Sequence, residues 1–441
     1  MKKQTRKLIG IIFIGIVMIA GTGCQTDAME PDDQVYTLVI GIDKGVSNKI
    51  RLTVQFPTYK SSGGGTSPQQ KKGSGGEGES EVSGTIVQTV EAATVPEGIN
   101  LLNTATSRKI SLVHAKAIIL SEALAREGVG PYMQVIARYR EGRRVMQVIV
   151  CKDSVEDFIK ENATLVGESM AKAMELMETQ SDFTGYFPRV SFQTFYKKLL
   201  SSYEQPYAIY AGTNDFKNLQ EENSKIKSPL KVQRGMQPGE EPRKGGRNIE
   251  YAGTAVFNGQ KMVGSLDSEE TRYFLMVIGE FKRAALTIND DYSPGEAIPL
   301  DIRLGRKPKI RAYFKKGKPV INVELNIEAD IGAVQSRISY EGPENIQKLN
   351  NMLKKNIEKG VRDVIKKAQK EWNVDIFTFG RKIAHSFGTI QEFEKYGWLD
   401  KFDDAGINVS VRANTRRSGL MYESAPVRNN TGKESIGGGK K

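Results

Sequence analysis

The chain has 441 residues, with 64 Lys and Arg against 52 Asp and Glu, a net charge of +12, two cysteines and two histidines. Two histidines, His114 and His385, exclude a three-His zinc site, an HExxH metalloprotease motif and a Cys/His zinc finger. Two cysteines exclude a disulfide-rich scaffold, and the length predicts more than one domain.

Lys2, Lys3, Arg6 and Lys7 precede an apolar run over residues 8–20. Such a run suits the hydrophobic region of an export signal and falls short of the roughly 18–20 residues that span a bilayer. Gly21-Thr22-Gly23 and then Cys24 follow, the small-small-Cys end of a lipoprotein signal. We read residues 1–23 as the signal peptide, Cys24 as the diacylglyceryl attachment point after cleavage, and 24–34 as a polar tether. Gly21 stands where such sites usually carry Leu. Removal of the signal takes four cations with it and lowers the net charge to +8. Cys151 is then left without a disulfide partner, and an apolar strand ending in Cys predicts a buried, inert thiol.

From residue 35 the pattern predicts a first α+β domain over 35–216. Ile50, Leu52, Val54 and Phe56 alternate with polar residues, the period of a half-buried strand, and GIDKGVSN predicts a hairpin from the preceding apolar run. Residues 60–84 hold Gly, Ser, Gln, Lys and Glu with almost no apolar side chain, so a disordered loop is expected. No GxxxxGK[ST] phosphate loop is present. Strand-like segments over 85–89, 110–120, 144–151 and 207–211 alternate with helical ones. Gly128 closes a helix over 122–127, and Asp153-Ser154 opens the next in capping-box style. Met170, Met174 and Met177 make a stripe that suits core filling better than a metal box. Ser191 caps a helix that carries Phe192, Phe195 and Leu199 on one face.

Residues 217–248 read as a polar linker. Beyond it, Asn258-Gly259 between two apolar segments predicts a hairpin, and a helix follows over 268–277. We expect a small middle domain over 249–294. A third domain is expected over 295–422. In it Ile321, Val323, Leu325, Ile327 and Ala329 alternate with polar residues, and residues 309–314 pair with them across Lys316-Gly317. Pro343 opens a long helix to about Trp372. Its apolar stripe is Ile346, Leu349, Leu353, Ile357, Val361, Val364 and Ala368. Lys354, Lys355, Lys359, Arg362, Lys366, Lys367 and Lys370 lie on the other face. That face is either solvated or a contact for anionic lipid or an acidic partner surface. A last alternating strand carries Ile407, Val409 and Val411, and the tail 423–441 is polar. The fold class is α+β, multi-domain, with mixed sheets flanked by helices.

No catalytic constellation emerges. His114 and His385 have no partner carboxylate or nucleophile elbow in sequence, and nothing singles out two carboxylates as a pair. The basic residues are spread along an exported chain without a recognition motif, which argues against nucleic acid.

Several segments together resemble the Ger(x)C family, the lipoprotein C subunits of bacterial spore germinant receptors. They are the signal with Cys24, GIDKG at 41–45, HAKAIILSEALAREGV at 114–129 with the arginine- and acid-containing turn 138–144 after it, GTAVFNGQKMVGSLDSEET at 253–271, and DIFTFGRKIAH at 375–385. The Trp-Asp pair that often follows the family's lipidated cysteine is replaced by Gln25-Thr26, and the insert 60–84 looks longer than usual. The resemblance implies a three-domain α+β protein on the outer face of the spore's inner membrane. It would be anchored in the bilayer through acylated Cys24 and assembled with two integral-membrane subunits, A and B, into a nutrient sensor. It implies no enzyme, no cofactor and no metal. The alternative is a solute-binding lipoprotein of a transporter, which would need two lobes of repeated βα units about a hinge.

Overall fold

The computed structural model describes residues 30–57, 85–161, 170–217, 232, 235–334 and 338–417. The expected signal peptide, Cys24, the segment 60–84 and the tail 423–441 lie outside the described residues.

A short β1 (Gln34–Tyr36) precedes β2 (Val39–Lys44), which forms the expected hairpin with β3 (Ile50–Pro57), and β4 (Thr85–Ala92) extends it. The apolar segment 110–120 is broken in two. β5 (Lys109–Ser111) pairs in parallel with β1, and β6 (Ala117–Ser121) pairs in parallel with β2. β7 (Gln147–Cys151) and β8 (Tyr207–Thr213) continue that parallel run. Parallel neighbours need crossovers, and helices supply them. α1 (Val95–Asn103) lies between β4 and β5, and α2 (Glu122–Glu127) with α3 (Gly130–Arg138) between β6 and β7. α4 (Val155–Glu161), α5 (Met170–Thr184) and α6 (Phe192–Leu199) lead from β7 to β8. α3 escapes the sequence pattern because Pro131 reads as a breaker, yet it occupies the first turn, where a proline costs no hydrogen bond.

Helices cover both faces of this sheet, so its central strands are apolar on both sides. Ile118, Leu120, Val148 and Val150 join one core, and Ala117, Ile119, Ile149 and Cys151 join a second with Phe158, Ile159 and Met174.

β9 (Ile249–Asn258) and β10 (Lys261–Leu266) form the predicted Asn-Gly hairpin, but they do so on the edge of β8. They complete an eight-stranded sheet of order β10-β9-β8-β7-β6-β2-β3-β4. After α7 (Ser268–Ile278), β11 (Arg283–Asn289) pairs with β12 (Ala297–Leu304) in a second sheet. Residues 249–294 are therefore divided between two sheets and do not stand as a middle domain. A lone hairpin with one helix has too little apolar surface to be stable by itself. The described end of the expected linker is also strapped down. The amides of Gly239 and Glu241 donate to Glu250 Oε2 at 2.8 and 3.3 Å, and Arg243 Nε reaches Oε1 at 2.9 Å.

In the second sheet β13 (Lys309–Lys315) and β14 (Lys318–Ile331) turn at Lys316 and Gly317, both with positive φ. β14 serves β13 and then β12 along one side, and β15 (Gly406–Arg417) runs parallel along the other. The long helix α8 (Pro343–Lys367), prolonged by a π turn over Ala368–Trp372, is the β14–β15 crossover. Its predicted stripe is buried except for the half-buried Ile346. α8 also guards the free edge of β15. Glu358 Oε1 accepts from Val411 N–H at 3.0 Å and Asn350 Oδ1 from Thr415 N–H at 2.8 Å. α9 (Phe379–Ala384) and α10 (Ile390–Tyr396) cover the core face of β13, where Phe314 meets Phe387 and Tyr396 edge-on at 5.8 and 5.6 Å.

α7 lies between the two sheets, with Thr271, Phe274, Leu275, Met276 and Val277 all buried. One core runs through it from Val35 to Val411. α8 approaches α7 at Gly360, where a methyl group would stand 2.2 Å from the Tyr273 ring. That ring is pinned, because its hydroxyl contacts Glu269 Oε1 at 2.9 Å and Asn356 Oδ1 at 3.2 Å. In an exposed helix Gly→Ala is worth about 1 kcal/mol of added stability. Here the sign reverses: Gly360→Ala lowers stability by about 1–3 kcal/mol, read from denaturant unfolding.

Candidate functional site

A buried polar arrangement joins the two sheets. Asp375 is fully buried. Its Oδ1 accepts from the amides of Phe377 and Phe379 at 3.0 and 3.2 Å, and its Oδ2 from Gly380 N–H at 2.7 Å and the Trp398 indole at 2.9 Å. Thr378 adopts a left-handed φ of 65° that folds these amides onto one carboxylate. The Asp375 carbonyl accepts from Gln205 N–H at 2.8 Å, which ties the turn to the loop before β8. A Cβ at Gly380 would meet the Tyr203 carbonyl at 2.1 Å, so only glycine lets the two segments close. Next to it Arg381 Nη2 reaches Glu204 Oε1 at 2.6 Å, and Lys198 holds the other oxygen of Glu204. Lys198 and Glu204 are both buried. A buried charge is tolerated where it is paired in this way. Burial pushes the Asp375 carboxyl up to about 6, while the indole and amide donors pull it down. At neutral pH it is the ionised acceptor those donors require.

Beside this joint a cleft of about 690 Å³ opens between the α6–β8 loop and α9–α10. Tyr203 stacks on Phe393 at 5.0 Å and Phe387 meets Phe393 edge-on at 5.7 Å, which gives it an aromatic floor. Lys197, Arg381 and His385 stand among its lining residues, and no Asp or Glu does. The volume suits small-molecule contact. Hydroxyls from Ser201 and Thr389 also line it.

The segments singled out in the sequence act as structural joints. In GIDKG, Gly41 gives way to the Val155 side chain, where a Cβ would approach to 2.4 Å. In HAKAIILSEALAREGV, Ser121 caps α2 through Leu124 N–H at 3.2 Å, and Lys116 pairs with Glu175. In GTAVFNGQKMVGSLDSEET, Asp267 and Glu270 form a capping box on α7, and Thr254 meets Thr271 at 2.9 Å in the core. Of the Asp153-Ser154 pair expected to open α4, Ser154 Oγ accepts from Asp157 N–H at 3.4 Å, while Asp153 accepts from Thr213 N–H at 2.7 Å. Within DIFTFGRKIAH the sequence by itself gives Asp375 and Arg381 no role. The signal was a glycine between an aromatic and an arginine, beside a lone acid in an apolar run.

The remaining candidates are scattered. His114 is exposed, edge-on to Tyr36 at 4.6 Å, and His385 is exposed at the cleft. Cys151 is buried, and burial pushes its thiol far up, as befits an unreactive core group. Cys24 lies outside the described residues. Among the described residues no three metal-ligating side chains converge, and no helix is long and apolar enough to cross a membrane. The basic face of α8 is largely engaged within the chain. Lys354 and Arg362 pair with Glu358, Lys359 with Asp363 and Lys367 with Glu270, and Lys370 reaches the Asp403 carbonyl.

Residues 27–212 match the family described as spore germination protein N-terminal domain, and residues 252–419 match spore germination B3/GerAC like, C-terminal. Among curated proteins of Bacillus subtilis (strain 168), the chain is 23% identical to the putative spore germination protein YfkR over 96% of its length and 99% of that protein. It is 24% identical to spore germination protein YndF, over 95% of this chain and 98% of that one. It is 22% identical to spore germination protein KC, over 95% and 97%. Among solved structures it is similar to the crystal structure of the GerBC protein, at 16% identity, a TM-score of 0.45 and coverage of 85% of this chain and 96% of that chain.

Two outcomes test the joint and the α7 cap. Asp375→Ala leaves four buried donors without an acceptor and is expected to cost about 3–5 kcal/mol in urea unfolding. Burial raises Asp267 from 3.8 to about 6. A raised carboxyl pKa in the folded state contributes stability at low pH that is lost as pH rises through that value. Asp267→Asn keeps the cap through its carbonyl oxygen and removes this loss. Relative to the parent, the variant is expected to gain stability as pH rises from about 4 to about 6. A stability gap that stays flat across that window would contradict the assignment.

Proposed function

This chain belongs to the Ger(x)C family of spore germination proteins, and from that membership we propose that it is the lipid-anchored C subunit of a germinant receptor. In this reading it works by assembly with the integral-membrane A and B subunits on the outer face of the spore's inner membrane, and not by catalysis. The observation that carries the reading is the pair of family matches, in order, over 27–212 and 252–419, behind a basic and then apolar run that leads to Cys24. Two acyl chains at ~0.8 kcal/mol per buried CH₂ give stable retention at a bilayer. The motif residues hold cores and joints together, which supports a scaffold that presents faces to partners. We propose two units, a first over 34–266 and a second over 283–417, with α7 between them, a division that the hydrogen bonding of the two sheets supports.

A solute-binding lipoprotein is the weaker reading. It needs lobes that open about a hinge, whereas here the core passes through α7 without interruption. Cys24→Ala is expected to move the protein from the membrane fraction to the soluble fraction and to slow nutrient-triggered germination of spores. Unchanged fractionation and unchanged germination in that variant would sink the anchor.

A further inference from the structure

The parallel strands β2, β6, β7 and β8 all start at one end of the large sheet, so the segments that lead into them gather there. Three of these segments are tied together. β1 pairs with β5, Lys116 N–H donates to the Leu38 carbonyl at 2.8 Å, and Gln147 N–H donates to the Lys116 carbonyl at 2.8 Å. The turn 138–145 between α3 and β7 belongs to this end, because Glu141 Oε2 accepts from Leu112 N–H at 2.8 Å.

That turn reads RYREGRRV. Arg138, Arg140, Arg143 and Arg144 are exposed, and no side-chain hydrogen bond or ion pair of theirs is found among the described residues. Glu141, the turn's own acid, is turned inward onto Leu112. Val145 follows, 67% exposed. Glu30, Asp32 and Asp33 lie at the same end, next to β1, whose Gln34 stands opposite Lys109. The four arginines are thus a local cationic excess with an apolar residue beside it.

The polypeptide that reaches this end from Cys24 is short. The six residue steps from Cys24 to Glu30 span at most about 20 Å when fully extended. We propose that the turn 138–145 rests on the anionic lipid surface to which Cys24 tethers the chain, with the guanidinium groups on lipid phosphates and Val145 in the interface. This rests on the lipid-anchor reading of Cys24. Guanidinium groups match phosphate oxygens bidentately, and a polybasic run with an apolar neighbour is the composition that anionic membranes hold. The tether keeps this end near lipid, which favours a bilayer over an acidic protein surface. The long helix α8, whose cations are mostly paired internally, does not take this role.

The test uses the complete mature chain with Cys24→Ala, so that no acyl group fixes it, and vesicles of phosphatidylcholine with about one-third phosphatidylglycerol. Binding is expected to the anionic vesicles and not to pure phosphatidylcholine, and to fall as salt rises from about 0.1 to 0.5 M. Joint reversal by Arg140→Glu, Arg143→Glu and Arg144→Glu, in a protein with an unchanged unfolding transition, is expected to weaken binding roughly 100-fold. Reversal of Lys315, Lys316 and Lys318 to Glu at the β13–β14 turn, equally basic but in the other sheet, is expected to leave binding intact. The proposal fails if the unmodified turn binds no vesicle, if it captures only soluble acidic proteins, or if the lysine reversal costs as much as the arginine reversal. Acylation is scored separately, by incorporation of labelled fatty acid into the parent chain. Absent labelling with intact vesicle binding would remove the anchor and keep the surface.

Discussion

A helix buried on nearly every side is the constraint on which the rest depends. α7 has few exposed positions, so it is stable only while the large sheet and the α8 layer are both in place around it. The two sheets consequently share one core, and α8 can approach only because Gly360 leaves room for the Tyr273 ring. A molecule built this way transmits displacement of one sheet to the other, because packed interiors are stiff.

The polar joint around Asp375 makes the same point electrostatically. A buried carboxylate is expensive unless its oxygens are saturated with donors, and four are supplied, three by its own turn and one by Trp398. The Glu204 pairing with Lys198 and Arg381 adds a second satisfied charge a short step away. Such networks contribute little net stability when complete, but they are costly when broken, so they specify one mutual placement of the units. The aromatic cleft beside them inherits its shape from that placement.

Charge tells two different stories along the chain. The cations of α8 sit one turn from acids on the same helix, as helical periodicity favours, or opposite an acid on α7. Among the described residues the arginines of the turn 138–144 form no ion pair, and the turn's own acid, Glu141, is used to fasten a backbone amide. A raw count of basic residues points first at the helix; contacts within the fold move the free positive charge to the turn.

Local signals in the sequence determined the local structure: the Asn258-Gly259 and Lys316-Gly317 hairpins, the Ser191 cap, the α8 stripe and the one-sided alternation of β14. They were legible because turn chemistry and side-chain period act over a few residues. The α+β class followed from the same patterns. Tertiary structure alone decided where those pieces go. It attached the 249–266 hairpin to β8 in place of a middle domain, laid β15 parallel to β14, and brought Asp375 to Gln205 and Glu204 near Arg381. These pairings join residues tens to hundreds of positions apart, and their free energy comes from burying faces that look alike in sequence. The pattern says that a face must be covered, and only the folded chain says by what.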